Sequence, residues 1–232
     1  MQFEGFILFG GGDFAVEVAT YIADLAHFDE LSVRPGEQSR YCVCDVISQA
    51  PARRDEFKEI QGREPQFHSN IDTVHNITKK KIVVCIGDPV ARHRVFTELK
   101  TSLAGVRFGT IIHPKAYVAG TAKIEAGTVI SPFGFVGPFA SVGANCVINV
   151  AAIVGHDVVL GTSTILSPGA DINGHASTGD AAFLGAGAII NPKAGLGSFS
   201  KLSAGSVLNT QTGDGFLMHG NPAKGRQMVK LS

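Results

Sequence analysis

Tryptophan is absent from the 232-residue chain, charged residues are only 17% of it, and 20 Lys+Arg balance 20 Asp+Glu to a formal net charge of zero. A protein that grips nucleic acid by its phosphates normally carries a basic surplus, so this balance argues against that class. Cysteine is scarce: Cys42, Cys44, Cys85 and Cys146 are spaced for neither a C-x-x-C metal pair nor a dense disulfide framework. Reduced thiols in a cytoplasmic protein are the expectation. Long apolar runs are missing too. The stretch from Phe6 to Phe9 is stopped by three glycines, too short for a signal peptide or a membrane span.

What the chain does have is apolar residues, 44% of the total, and 28 glycines. That is too apolar for a disordered chain and too little glycine for collagen. The averages hide a division. Residues 1–111 hold 28 charged residues and 9 Gly, whereas residues 112–232 hold 12 and 19. A shift of that size marks a domain boundary near Thr110-Ile111.

The second half repeats every six residues. Stepping by six from Ile112 to Leu208 visits seventeen positions, sixteen of them Val, Ile or Leu, with Thr178 the exception. Four residues beyond each lies a second column, Ala116, Ala122, Thr128 and onward to Thr212, in which Val158 alone is not small. A chance run of strand-like alternation does not hold one register over seventeen hexads. Six residues suit a short strand and a turn, and stacked coils then bury a core that no single coil could form.

The first half alternates strand and helix patterns. An apolar strand from Gly5 to Phe9 opens into Gly10-Gly11-Gly12, and Phe14, Val18, Tyr21, Ile22 and Leu25 follow at helical spacing. Tyr41 to Cys44 reads as a second strand ending in Asp45, and Ile82 to Ile86 as another. Val90 to Leu103 reads as a helix, Glu30 to Ser39 as a loop insertion and residues 46–66 as a surface loop. Strand, helix, strand in this order predicts a small parallel, Rossmann-like α/β unit.

Several residues could carry chemistry. Gly10-x-Gly12-x-x-Ala15 joins a predicted strand to a predicted helix, where backbone N–H groups can meet a phosphate at the helix N-terminus. The same loop can equally be a plain tight turn. Asp45, at the end of the second strand, could accept a hydrogen bond from a ribose or base. In the repeat, His156 lies two residues beyond core Val154, and by position alone it is an ordinary surface histidine. One 18-residue coil onward is Gly174, and a neighbouring column reads Pro168, Ala186 and Ala204. A histidine beside a strip of small residues suits an extended thioester.

The whole chain resembles the PglD/NeuD-type sugar acetyltransferases, hexapeptide-repeat acyltransferases of bacterial glycan biosynthesis. Gly10-Gly11-Gly12-Asp13-Phe14-Ala15-Val16-Glu17-Val18-Ala19 is similar to their opening G-A-G-G-F-A-R-E-V-A. Asn149, Val154-Gly155-His156-Asp157, Gly161 and Ser167-Pro168-Gly169-Ala170 follow their repeat signature, and Gly220-Asn221-Pro222-Ala223-Lys224 matches the tail of such enzymes. The resemblance implies a Rossmann-like nucleotide-sugar domain (1–111), a left-handed parallel β-helix with three hexads per coil (112–213), and a tail (214–232).

It further implies acetyl-CoA as cosubstrate, a nucleotide-linked amino sugar of the UDP-4-amino-sugar type as acceptor, and a cytoplasmic homotrimer with sites between subunits and no metal. His156 would be the general base, the Gly174 N–H the oxyanion donor, Asp157 a partner of the histidine and Asn149 a sugar contact. Ala186 and Ala204 would meet the pantetheine arm, while Gly10, Gly11, Gly12, Asp13 and Asp45 would hold the nucleotide. Sequence neighbours on an extended chain point apart, which argues against an Asp157–His156 contact. Most relatives carry a second histidine where this chain has Ile165, and the second acidic residue that often follows Asp45 is Val46. Other readings are a sialic-acid-type O-acetyltransferase, a carbonic-anhydrase-like zinc enzyme needing three converging histidines, and a non-catalytic scaffold.

Overall fold

The protein is described by a computed structural model covering residues 4–32, 41–49 and 53–228. Its contacts divide the chain into one unit of Met1–Gly87 with Val95–Pro114 and a second of Asp88–Arg94 with Lys115–Ser232.

The first unit is built on strands β1 (Glu4–Phe9), β2 (Tyr41–Ile47), β3 (Gln66–His68) and β4 (Lys81–Val84), paired in parallel in the order β3-β2-β1-β4. Strands β1 and β4 are continuous apolar runs because both of their faces are covered: Phe6, Ile7 and Leu8 in β1 and Ile82, Val83 and Val84 in β4 are buried. Helix α1 (Asp13–Ser32) follows the glycine loop and buries Ala15, Val18, Ala19 and Ile22, one helical stripe. Helix α2 (Arg54–Gln61) buries Phe57, and α3 (Pro89–Ser102) follows β4.

Several boundaries differ from the sequence expectations, among them β4, which ends at Val84 rather than Ile86. Strand β2 runs on to Ile47 because β3 pairs with its end, Asp45 opposite Gln66 and Ile47 opposite His68, so Asp45 lies inside the strand. The surface loop expected over 46–66 contains α2 and the start of β3, whose few apolar residues among many charges hide their period. Helix α1 extends to Ser32, into the expected Glu30–Ser39 insertion, whose remainder lies outside the described residues.

The second unit is a three-sided parallel β-helix. Up to Ile189–Ile190, each two-residue strand pairs with the one 18 residues on, as Ser141 with Val159, Val147 with Ile165 and Ile153 with Asp171. One face carries five strands from Lys123–Ile124 to Gly195–Leu196, and another six strands from Tyr117–Val118 to Val207–Leu208. The third includes Val129–Ile130 to Lys201–Leu202 and then Phe216–His219, to which Lys224–Gln227 pairs antiparallel. The segment after 213 therefore continues the sheet.

We number each hexad from the first residue of its strand. Second-position residues form the core column: from Ile130 to Leu208 every one is buried. Sixth-position residues form the small column, and Val158 is as buried as its alanine neighbours. Thr178 is tolerated in the core because its hydroxyl meets the Thr164 hydroxyl at 3.1 Å and accepts from the Gly161 N–H at 3.3 Å. Fifth-position residues take left-handed backbone conformations at corner after corner, including Phe133, Phe139, Asn145, Asp157, His175 and Lys193 at φ between 57° and 66° with Phe133 and Phe139 both at 60°. Such conformations are disfavoured for residues with a Cβ and persist here because the coil above and below over-determines the turn.

Candidate active site

His156 occupies the fourth position of its hexad and Asp157 the fifth, at the corner that follows the six-stranded face. Asp157 has φ 57°. That left-handed turn folds its carboxylate back, and His156 Nδ1 lies 2.8 Å from Asp157 Oδ2. The extended-chain argument against this contact fails for that reason. An Nδ1–H donating to the carboxylate leaves Nε2 as the imidazole's acceptor.

Gly174 sits directly one coil on. A Cβ there would fall inside van der Waals contact of His156 Nε2 and 3.0 Å from its Cδ2, so only glycine lets the imidazole lie across the next coil. Gly174 has no positive φ, and the obstructed atoms belong to the far end of an exposed side chain. Gly174→Ala is therefore expected to fold normally, with an unchanged Tm, while the ring swings away. Displacement of a reacting group by about an ångström can cost roughly 100-fold, which a turnover assay would measure; unchanged turnover would show that the ring's present position is not the working one.

His175 completes this corner. Its ring stands edge-on to that of His156, with centroids 5.0 Å apart at 90°, and its backbone N–H donates to His156 O at 3.1 Å. Counted from His156 it is one residue out of column. Counted from Asp157 it is one full coil on, and both take the left-handed position. The ligand-type atoms of His156, Asp157 and His175 lie within 4.8 Å of one another, on an exposed surface.

The remaining repeat candidates lie at a different corner, the one preceding the six-stranded face. Asn149 is half-buried there, its Oδ1 accepting from Val150 N at 2.7 Å. Ala186 and Ala204 are exposed fourth-position residues of later coils at the same corner. Like Gly174, they donate their backbone N–H to no acceptor among the described residues. A single chain thus divides the predicted acyl-transfer residues between two edges of one face.

That face is apolar. Tyr117, Phe135 and Ile153, first-position residues of consecutive coils, are exposed, and Tyr117 stacks on Phe135 with centroids 5.1 Å apart. Phe133 and Val150 at one bordering corner and Phe139 at the other are exposed as well. Asp171, next in the column after Ile153, has its carboxyl pushed above the ordinary range by burial.

In the first unit, the glycine loop is more constrained than its sequence implies. Gly10 has φ 123°, a Cβ there would strike Cys85 O, and its N–H is taken by Ile47 O at 2.8 Å. Gly11 is buried. Gly12 is exposed, a Cβ on it would meet nothing within 4 Å, and its carbonyl starts α1 by accepting from Ala15 N at 2.9 Å. Asp13 opens the helix and pairs with Arg53 Nη1 at 2.6 Å. Asp45 is fully buried, its oxygens bound to His68 Nε2 at 3.0 Å and Lys80 Nζ at 2.5 Å. Its carboxylate is spent inside the unit, so a direct ribose or base contact is not what this placement offers. The roles of Arg53, His68 and Lys80 leave no sequence signal because Asp13 and Asp45, their partners, are distant along the chain.

No protein-family profile and no curated protein matches the chain. Solved structures do. PerB from Caulobacter crescentus, in complex with CoA and GDP-perosamine, matches at TM-score 0.80 and 24% identity, covering 96% of this chain and 97% of that one. The acetyltransferase domain of PglB from Neisseria gonorrhoeae, in complex with acetyl coenzyme A, matches at TM-score 0.80 and 23% identity over 96% and 98%. WeeI from Acinetobacter baumannii matches at TM-score 0.73 and 20% identity over 96% and 100%. The fold is a Rossmann-like α/β unit followed by a left-handed parallel β-helix of hexapeptide repeats. Along nearly its whole length the chain shares that two-part architecture with PerB and PglB.

Proposed function

We propose that the protein is an acetyl-CoA-dependent N-acetyltransferase acting on the amine of a nucleotide-linked amino sugar in bacterial glycan biosynthesis. The observation that carries the reading is the His156 corner: an imidazole oriented by Asp157, lying over a glycine whose N–H is unspent. The full-length likeness to structures holding CoA and GDP-perosamine supports the substrate class.

In this reaction the sugar amine attacks the thioester carbonyl, and His156 Nε2 accepts the proton that the nitrogen sheds. The Gly174 N–H donates to the oxyanion of the tetrahedral intermediate. As the intermediate collapses, the C–S bond breaks and the imidazolium returns the proton to the CoA sulfur. Asp157 holds the tautomer and stabilises the imidazolium. Asn149 contacts the sugar, and the Ala186 and Ala204 backbones meet the pantetheine arm. The α/β unit binds the nucleotide, with the open Gly12–Asp13 start of α1 and the Arg53 guanidinium as its phosphate side, and Asp45 acting through Lys80 and His68.

The working form is a cytoplasmic homotrimer. Among the described residues no helix is long and apolar enough to cross a membrane. Three copies turning their apolar faces to a common axis would bring the His156 edge of one beside the Asn149–Ala204 edge of the next, joining what one protomer keeps apart.

The test is release of CoA thiol when acetyl-CoA is supplied with UDP-, dTDP- or GDP-linked 4-amino sugars, with and without a chelator. Chelator-resistant acetylation of an amine is expected. Acetylation of a hydroxyl sugar alone would move the reading to O-transfer, and loss of activity in chelator would make the His156–Asp157–His175 group a metal site. Binding of CoA with no acceptor acetylated would overturn the acceptor class.

A further inference from the structure

The proposed transfer reaction makes no use of Cys42 and Cys44. In a regular strand, residues two apart are separated by roughly 6.6 Å of rise. Strand β2 is not regular there. Phe6 of β1 is opposite Val43, and the next residue, Ile7, is opposite Asp45, so Cys44 is an extra residue bulged out of the ladder. A bulge bends its strand and tightens the local twist. The two Sγ atoms consequently lie 3.4 Å apart.

Cys44 also lines a cavity of about 390 Å³, whose wall includes Arg63, Glu64, His75 and Lys80 with buried Asp45 behind. Both thiols are part-exposed, whereas Cys85 and Cys146 are buried. The Cys44 thiol is lowered to about 6, first by the hydrogen bond from Cys42 and then by Arg63 and Lys80, against the opposing effects of burial and Asp45. Cys42 is driven the other way, as the partner that keeps its proton. Burial pushes Cys146 up to about 12.

We infer that Cys42 and Cys44 form an oxidisable dithiol, in which Cys44 reacts with a peroxide entering the cavity and Cys42 closes the disulfide. Cys44 thiolate attacks one oxygen of the peroxide, the O–O bond breaks, and the leaving hydroxide takes a proton to become water. The Cys42 sulfur then attacks the Cys44 sulfenic acid, releasing a second water. Two thiols are oxidised by two electrons in all, and one peroxide is reduced to two waters. The bulge supplies the approach of the sulfurs, and the cavity supplies the access.

The test uses the full chain and is independent of any transfer activity. Titration with hydrogen peroxide, followed by alkylation and peptide mass analysis, should find the Cys42–Cys44 peptide lighter by two hydrogens while Cys85 and Cys146 stay reduced. Iodoacetamide should label Cys44 with a half-maximal rate near pH 6, where its thiolate begins to predominate. Cys42→Ser should stop at a Cys44 sulfenic acid captured by dimedone, and Cys44→Ser should leave Cys42 reduced. Labelling of the unsubstituted chain is informative even if a variant folds poorly. Free Cys42 and Cys44 after treatment that oxidises an exposed control thiol would overturn the inference. Oxidation of Cys42 in the Cys44→Ser variant at the original rate would overturn it equally.

Discussion

His156→Ala should lower turnover by roughly 10²–10⁴-fold while leaving CoA binding and Tm unchanged. The size follows from what general-base catalysis contributes when the base is removed and the rest of the site is intact. The selectivity follows from where the residue sits. Its side chain is 58% exposed and fills no part of the core, so truncation leaves no cavity and removes one exposed hydrogen bond to Asp157. A variant that binds CoA, melts normally and does not turn over would isolate Nε2 as the missing element. Unchanged turnover would remove His156 as the base and return the corner to an ordinary exposed histidine.

If the proposed trimer forms, Phe135→Glu should break it and with it nearly all activity. Phe135 is 37% exposed and stacked between coils on Tyr117, in the middle of the face assigned to the threefold axis. In the proposed trimer a carboxylate there would face its two symmetry mates across an apolar contact, where burying an unpaired charge costs several kcal/mol. Sedimentation or light scattering should show a monomer. A control change on another face, Lys123→Glu, should leave assembly intact, since Lys123 is exposed outside the patch. The division of the site also makes complementation possible. Mixed trimers of His156→Ala and Asn149→Ala chains should regain some activity, because some corners would pair two unaltered edges. A monomeric, fully active parent chain would defeat the assignment.

The β-helix was legible in the sequence to an unusual degree, because one residue class per column decides it. Core Val, Ile and Leu every six residues, and small residues four further on, dictate the coil without any long-range information. Thr178 looked like a lapse because its satisfaction depends on Thr164, fourteen residues away. The α/β unit was less legible. Helix α2 and strand β3 are short and polar, and the far end of β2 is set by pairing with β3 rather than by its own residues.

The site divides the same way. His156 and Gly174 share a column and were found by counting in eighteens. The Asp157–His156 contact and the place of His175 beside them do not follow from strand geometry: the left-handed turn decides where their side chains go. Asp45 was recognised, but its burial with His68 and Lys80 depends on chain 23 and 35 residues away.

The eighteen-residue stacking makes the remainder of a residue number after division by eighteen an address on the prism. His156 and Gly174 share one address, and Ala186 and Ala204 another. An insertion of eighteen residues within the repeat lengthens the prism and keeps each address on its edge. A six-residue insertion preserves the core columns just as well, yet rotates everything beyond it by one face. Length change in this half of the chain is therefore governed by two rules, with multiples of six compatible with the fold and only multiples of eighteen compatible with the site.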